Sequence, residues 1–186
     1  MVRSLMALSA TVYHVQIDLS DVDRGVYETL DLRIARHPSE TMRYLLTRVI
    51  AYCACYQEGI AFSKGLSNTE EPALWVKDLQ GNLVTWIEVG TPSAERLHKA
   101  SKAAPRLMIF TQNDPEVLKR AARAKPIYRA SEIEVYALEP TFLDELDAAT
   151  DRNSKWILVH TGGELFVTIG QGSFTGALTR HALVDT

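Results

Sequence analysis

The sequence is poor in the features that usually assign a function at sight. It has two cysteines, Cys53 and Cys55, standing two apart in an apolar stretch of helical pattern. On a helix they fall on roughly opposite sides. They are expected as buried thiols in a reduced compartment, which excludes a disulfide scaffold and a zinc half-site. No apolar run approaches the roughly 20 residues of a membrane span. The opening MVRSLMALSA is too short and too weakly patterned for a signal peptide. The expectation is a cytoplasmic chain with no membrane partner. Positive charge is not in excess either: the formal net charge of −3 offers nucleic acid no general attraction and leaves only a local basic patch. Repeats and low-complexity segments are lacking. His14 and His37 have no Cys or acid at ligand spacing, and no Lys-Ser/Thr follows Gly162-Gly163, so neither a histidine metal site nor a phosphate loop is expected.

What is present suits one domain over residues 1–186, with a hydrophobic content of 46% that is ample for a core. Residues 11–19 alternate and read as a strand, with residues 27–35 as its hairpin partner across Asp21-Val22-Asp23-Arg24-Gly25. His37-Pro38-Ser39-Glu40 opens a helix over residues 40–57. Ser39 is its cap, and Met42, Leu45, Leu46, Val49, Ile50 and Cys53 form the buried stripe. Residues 60–63 form a short strand and 65–70 a polar loop. A helix over 93–103, with Leu97, Ala100 and Ala104 inward, leads to RLMIFT at 106–111, a strand apolar enough for a sheet covered on both faces. An amphipathic helix (114–124), a strand (133–138), an acidic helix (140–149) and a hairpin (156–160 with 165–169) follow. The Gly- and Ser-rich tail from Gly170 reads as disorder.

The chain is organised around residues 71–99, a hairpin running into a helix. A turn pairing Leu79 with Asn82 sets Trp75 opposite Trp86, Ala73 opposite Glu88 and Glu71 opposite Gly90. Glu71, Trp75, Trp86 and Glu88 then share one face. Trp75 and Trp86 read as a cross-strand core pair. Glu88 is the anomaly, a carboxylate in an apolar run that needs a metal ion or a cation beside it. Lys99 and Lys102 on the following helix are the candidates for that cation. Asp78 is the rival to Glu71, but the register keeps it beside the turn. Arg96, Lys99, Lys102, Arg106 and residues 119–123 could line a nucleic-acid groove, although charge on a helix face is usually solvation.

The central order, helix–strand–strand–strand–helix–strand, resembles the αβββαβ core of the PD-(D/E)XK nuclease superfamily. ARHPSET (35–41), FSKGL (62–66), EEPALW (70–75), WIEVGTPSAERLHKA (86–100) and the strand ending at Phe110-Thr111 resemble, in that order, the YaeQ family, whose fold is a variant of that nuclease fold. The resemblance implies an α/β fold: a mixed central sheet with a restriction-endonuclease-like core over about residues 39–111, plus flanking β-hairpins. It implies Glu40, Glu71 and Glu88 as ligands of Mg²⁺ or Mn²⁺. Hard cations want oxygen ligands, and such an ion activates water on a phosphodiester. The superfamily's lysine position is Gly90 here, so a migrated amine would come from Lys99 or Lys102, whose flexible stems allow it. The implied partner is nucleic acid. Three functions follow as expectations: a metal-dependent nuclease, a degenerate nuclease fold that only binds, or an interaction protein whose acids form a polar network.

Overall fold

The computed structural model describes residues 9–64 and 70–184. The signal-peptide reading of the opening residues falls almost wholly outside them, as do the end of FSKGL and most of the polar loop.

Among the described residues ten strands form one mixed sheet, ordered across it as residues 26–36, 11–21, 153–161, 164–169, 172–182, 134–138, 106–111, 83–89, 74–77 and 60–62. β1 (Thr11–Asp21) and β2 (Val26–Arg36) pair along their full length and bury Val15, Ile17, Leu19, Leu30, Leu32 and Ile34 on one face. α1 (Met42–Ala54) follows, then β3 (Ile60–Phe62), β4 (Leu74–Lys77) and β5 (Leu83–Val89). The sheet curls around α1, so side chains from β1 and β2 at one end and from β4 and β5 at the other meet the helix in one core. Enclosure on so many sides buries α1 almost all round. Thr47 and Arg48 are buried with Leu45, Leu46, Val49 and Ile50, where a helix on a flat sheet would keep a polar face.

α2 (Ala94–Ala103), β6 (Arg106–Thr111), α3 (Pro115–Ala124) and β7 (Glu134–Leu138) build a second core on the opposite face of β5–β7. RLMIFT is covered on both faces as expected. Leu107 and Ile109 enter the second core, and Met108 and Phe110 the first. β5, β6 and β7 run parallel. α4 (Pro140–Ala149), β8 (Asn153–Thr161), β9 (Glu164–Ile169) and β10 (Gly172–Ala182) complete the chain.

Three expectations are corrected. The segment after Gly170 is a strand of 11 residues at the middle of the sheet, paired with β9 on one side and β7 on the other. One of its two glycines is a packing device. A Cβ at Gly176 would come within 2.5 Å of the Phe142 ring of α4, so the smallest residue lets the helix lie on the strand. The cap of α1 is Thr41, which accepts from the Tyr44 N–H at 3.1 Å, whereas Ser39 turns to His37 at 2.6 Å. The turn of the β4–β5 hairpin runs from Asp78 to Asn82. Asp78 accepts from the Gln80 and Asn82 N–H groups, and a one-residue bulge beside Val76 and Lys77 restores the pairing of Trp75 with Trp86. Among the described residues, no helix is long and apolar enough to cross a membrane.

Candidate functional site

β5 brings Trp86 and Glu88 to one face, against α2. Trp86 joins the second core, and its indole Nε1–H donates to Glu88 Oε1 at 2.6 Å. The Glu88 side chain is 5% exposed. The strand ends at Gly90, whose φ of +92° is a conformation that L side chains rarely adopt. A Cβ there would lie 3.6 Å from the Tyr44 ring, so a lysine at 90 would start from a strained backbone with an aromatic face against its stem. Ser93 then caps α2 by accepting from the Arg96 N–H, and this fixes Arg96 in the first turn, above Glu88. Arg96 Nε donates to Glu88 Oε1 at 2.7 Å, and its Nη2 donates to the Glu71 carbonyl at 2.7 Å. The cation that answers Glu88 is therefore an arginine three residues before Lys99.

Glu40 lies just before the cap of α1, with its side chain 1% exposed. Its Oε2 accepts from Arg48 Nη2 at 2.6 Å, and the same nitrogen donates to the Ala35 carbonyl at 2.9 Å. Arg48 is also buried, with its guanidinium 5.6 Å from the Tyr44 ring centre and 6.0 Å from that of Phe62. Burial pushes both the Glu40 and the Glu88 carboxyl above the ordinary range. The neighbouring arginines, the Trp86 N–H at Glu88 and a backbone N–H at Glu40 oppose that rise. The Tyr44 phenol is raised by burial as well, with Arg48, Glu40, Glu88 and Arg96 acting on it from nearby.

The remaining expected residues sit apart. The Glu71 carboxylate accepts from the Lys64 N–H at 3.3 Å, so the Glu71 carbonyl is what meets Arg96. Lys99 pairs with Glu70 at an exposed position, and Lys102 is exposed in the last turn of α2. A cleft of about 250 Å³ beside Arg96 is lined by Glu70, Trp86, Ser93, Glu95, Lys99 and Ala100. Among the described residues no three His, Cys, Asp or Glu side chains come together as a metal site. Glu40, Glu71 and Glu88 thus do not form one ligand set for Mg²⁺ or Mn²⁺. Arg48 went unnoticed in the sequence, and Arg96 reads there only as a candidate groove residue, not as the partner of Glu88. Arg48 carried no signal there, because on a helix it falls on the polar side, outside the stripe from Met42 to Cys53.

Among the described residues these observations define an α/β protein with a large curled mixed sheet, four helices and, near Tyr44, the buried pairs Glu40–Arg48 and Glu88–Arg96. Comparison with known proteins places it more closely. The family model described as YaeQ protein matches residues 6–177, and the chain belongs to that family. It is 31% identical to the uncharacterised protein YaeQ of Escherichia coli K12 over 149 residues, covering 79% of this chain and 82% of that one. The crystal structure of YaeQ from Pseudomonas syringae superposes with a TM-score of 0.84 at 35% identity, covering 92% of this chain and 95% of the other. That of Xanthomonas axonopodis pv. citri gives 0.84 at 30%, covering 92% and 98%.

Proposed function

We propose that this chain is a degenerate form of the PD-(D/E)XK nuclease fold, kept as a binding module rather than a metal-dependent phosphodiesterase. One observation carries the reading: the buried carboxylate of Glu88, the acid such chemistry would require, already holds the guanidinium of Arg96 and the N–H of Trp86 on one oxygen. Two neighbours support it. Ala73, one residue beyond the Leu74–Ile87 pair in the direction of Glu88, offers a methyl where a second acid would be needed, and Gly90 cannot supply the lysine. A hard cation needs several anionic oxygens at about 2.0–2.6 Å, and this donor set does not fit that requirement. The binding surface is the cleft beside Arg96. Its cation Lys99 and its acids Glu70 and Glu95 are already in ion pairs, so it has little net charge to offer a phosphate backbone and suits a protein segment of mixed charge.

The experiment compares wild type with Glu88→Gln on single- and double-stranded DNA and RNA, with Mg²⁺ or Mn²⁺. The reading expects no cleavage by either protein and no rise in melting temperature with either ion. Metal-dependent cleavage that is lost in Glu88→Gln would restore the nuclease. Salt-sensitive binding of a fluorescent oligonucleotide, weakened by Lys99→Ala, would make the partner nucleic acid.

A further inference from the structure

A second cavity lies at the other end of α1, away from the acid–arginine pairs. Tyr44 and Ala54 are separated by ten residues of helix, about 15 Å at 1.5 Å per residue. Here the C-terminal end of α1 faces the first residues of the parallel strands, and the curl of the sheet closes over the gap. The cavity measures about 250 Å³. Its floor is apolar, made by Val76, Met108, Phe110 and Leu178, with Ala54 and Cys55 at the helix end. Phe110 is held flat against Tyr136, ring centres 5.2 Å apart and planes 19° from parallel.

The rim is basic. Arg24, Arg106 and His160 line it. Arg24 is fully engaged: Nε donates to Asp21, Nη1 to the Tyr56 carbonyl and Nη2 to the Cys53 carbonyl. It ties the β1–β2 turn to the end of α1 and so fixes the wall. Arg106 and His160 are differently placed. Arg106 spends Nε on Glu134 at 2.7 Å, and His160 spends Nδ1 on Asp21 at 3.2 Å. Among the described residues, the Nη groups of Arg106 and the Nε2 of His160 have no protein acceptor. Both nearby acids are already answered, Asp21 by Arg24 and Glu134 by Arg106, the Tyr136 hydroxyl and Arg180 at 3.9 Å. The two lining arginines balance these two carboxylates, so what the mouth offers an anion is the Nη groups of Arg106 together with His160.

We infer that this cavity binds a small organic carboxylate, its acid group taken by Arg106 and His160 and its apolar body resting on Met108 and Phe110. The size sets the class. An apolar cavity of about 150 Å³ takes benzene, and pockets for drug-sized ligands begin at about 300 Å³. The space at this site therefore fits one ring or a short chain with a carboxylate attached. Arginine's planar fork selects a carboxylate over a lone halide. Cys55 lines the wall, but burial pushes its thiol up to about 12, so the site binds and does not bond covalently to its ligand.

The test is amide NMR on the full chain, titrated with benzoate and, separately, with benzyl alcohol, its neutral near-isostere. Benzoate should move the signals of Thr85, Arg106, Met108 and Tyr136 and saturate. Arg106→Met, which keeps the stem and removes the charge, should weaken benzoate by at least about tenfold, as expected for loss of a charge-assisted pair, and leave benzyl alcohol unchanged. Ala54→Phe, at a half-buried helix end, should fill the space and abolish both responses while the rest of the spectrum stays folded. Benzoate shifts that fail to saturate in wild type, or that persist unchanged in both folded variants, would overturn the assignment.

Discussion

Removing Arg96 should destabilise this protein in a way that depends on pH, and the direction follows from the geometry. Glu88 is 5% exposed at its side chain and Arg96 28%, so the pair lies largely out of water. Deleting one partner of such a pair costs about 3–5 kcal/mol, because the other charge is left buried alone. Arg96→Met should fall at about 3 kcal/mol, the low end of that range. The Trp86 N–H still bonds the carboxylate, and the exposed part of Arg96 was already partly hydrated. For a chain of this length, that is a fall of roughly 6–12 °C in melting temperature. The pH dependence is sharper still. Burial already raises the Glu88 carboxyl above its unfolded value near 4.5, and losing Arg96 removes a contribution that lowers it. An acid with a raised folded pKa favours the fold most below its unfolded value, and that contribution is lost as pH rises through the folded one. The deficit of Arg96→Met should be largest at pH 8 and shrink toward pH 4.5 as the carboxylate takes up a proton. Circular-dichroism melts across that range give the answer, with Glu88→Gln/Arg96→Met as control, since an amide at 88 leaves no charge stranded. A deficit flat with pH, or a double variant as unstable as Arg96→Met, would refute the reasoning.

Two further predictions rest on packing. Gly176→Ala should cost about 1–3 kcal/mol by driving a methyl into the Phe142 ring, as overpacking does, and denaturant unfolding reads it directly. If that segment were a loose tail, the change would be silent. Cys53 and Cys55 are buried and their thiols are pushed up to about 12, so neither should react with a disulfide reagent at pH 8 at any rate faster than the chain opens. Prompt modification of the folded protein would contradict their burial.

What the sequence revealed, and what it concealed, divides by range. The pairing of Trp75 with Trp86 was readable because alternation along two apolar strands admits few registers. It survived a misjudged turn because a bulge absorbs the extra residue. RLMIFT announced its two covered faces through composition alone. Glu88 was visible as a charge where none should be. Its counter-ion was not, because nothing local states that a cap at Ser93 aims Arg96 at a strand eight residues back. Arg48 stood on what reads as the polar side of α1, and only the curl of the sheet turns that side into an interior. β10 was misread because its glycines and serine break up the pattern of its Phe, Thr and Leu, and its two neighbours supply the order.

The position of β10 also bears on how the molecule is made. β9 and β7 do not pair with each other, so the hairpin half of the sheet and the parallel half are joined edge to edge only through residues 172–182. Every other strand precedes that segment in the chain. During synthesis two open sheets, each with an unpaired edge at β9 or β7, must wait for it. Such edges are where nascent chains pair with the wrong neighbour. Productive folding is therefore tied to the emergence of one weakly patterned strand, and a ribosome stalled before it would release a chain with two exposed edges and no seam to close them.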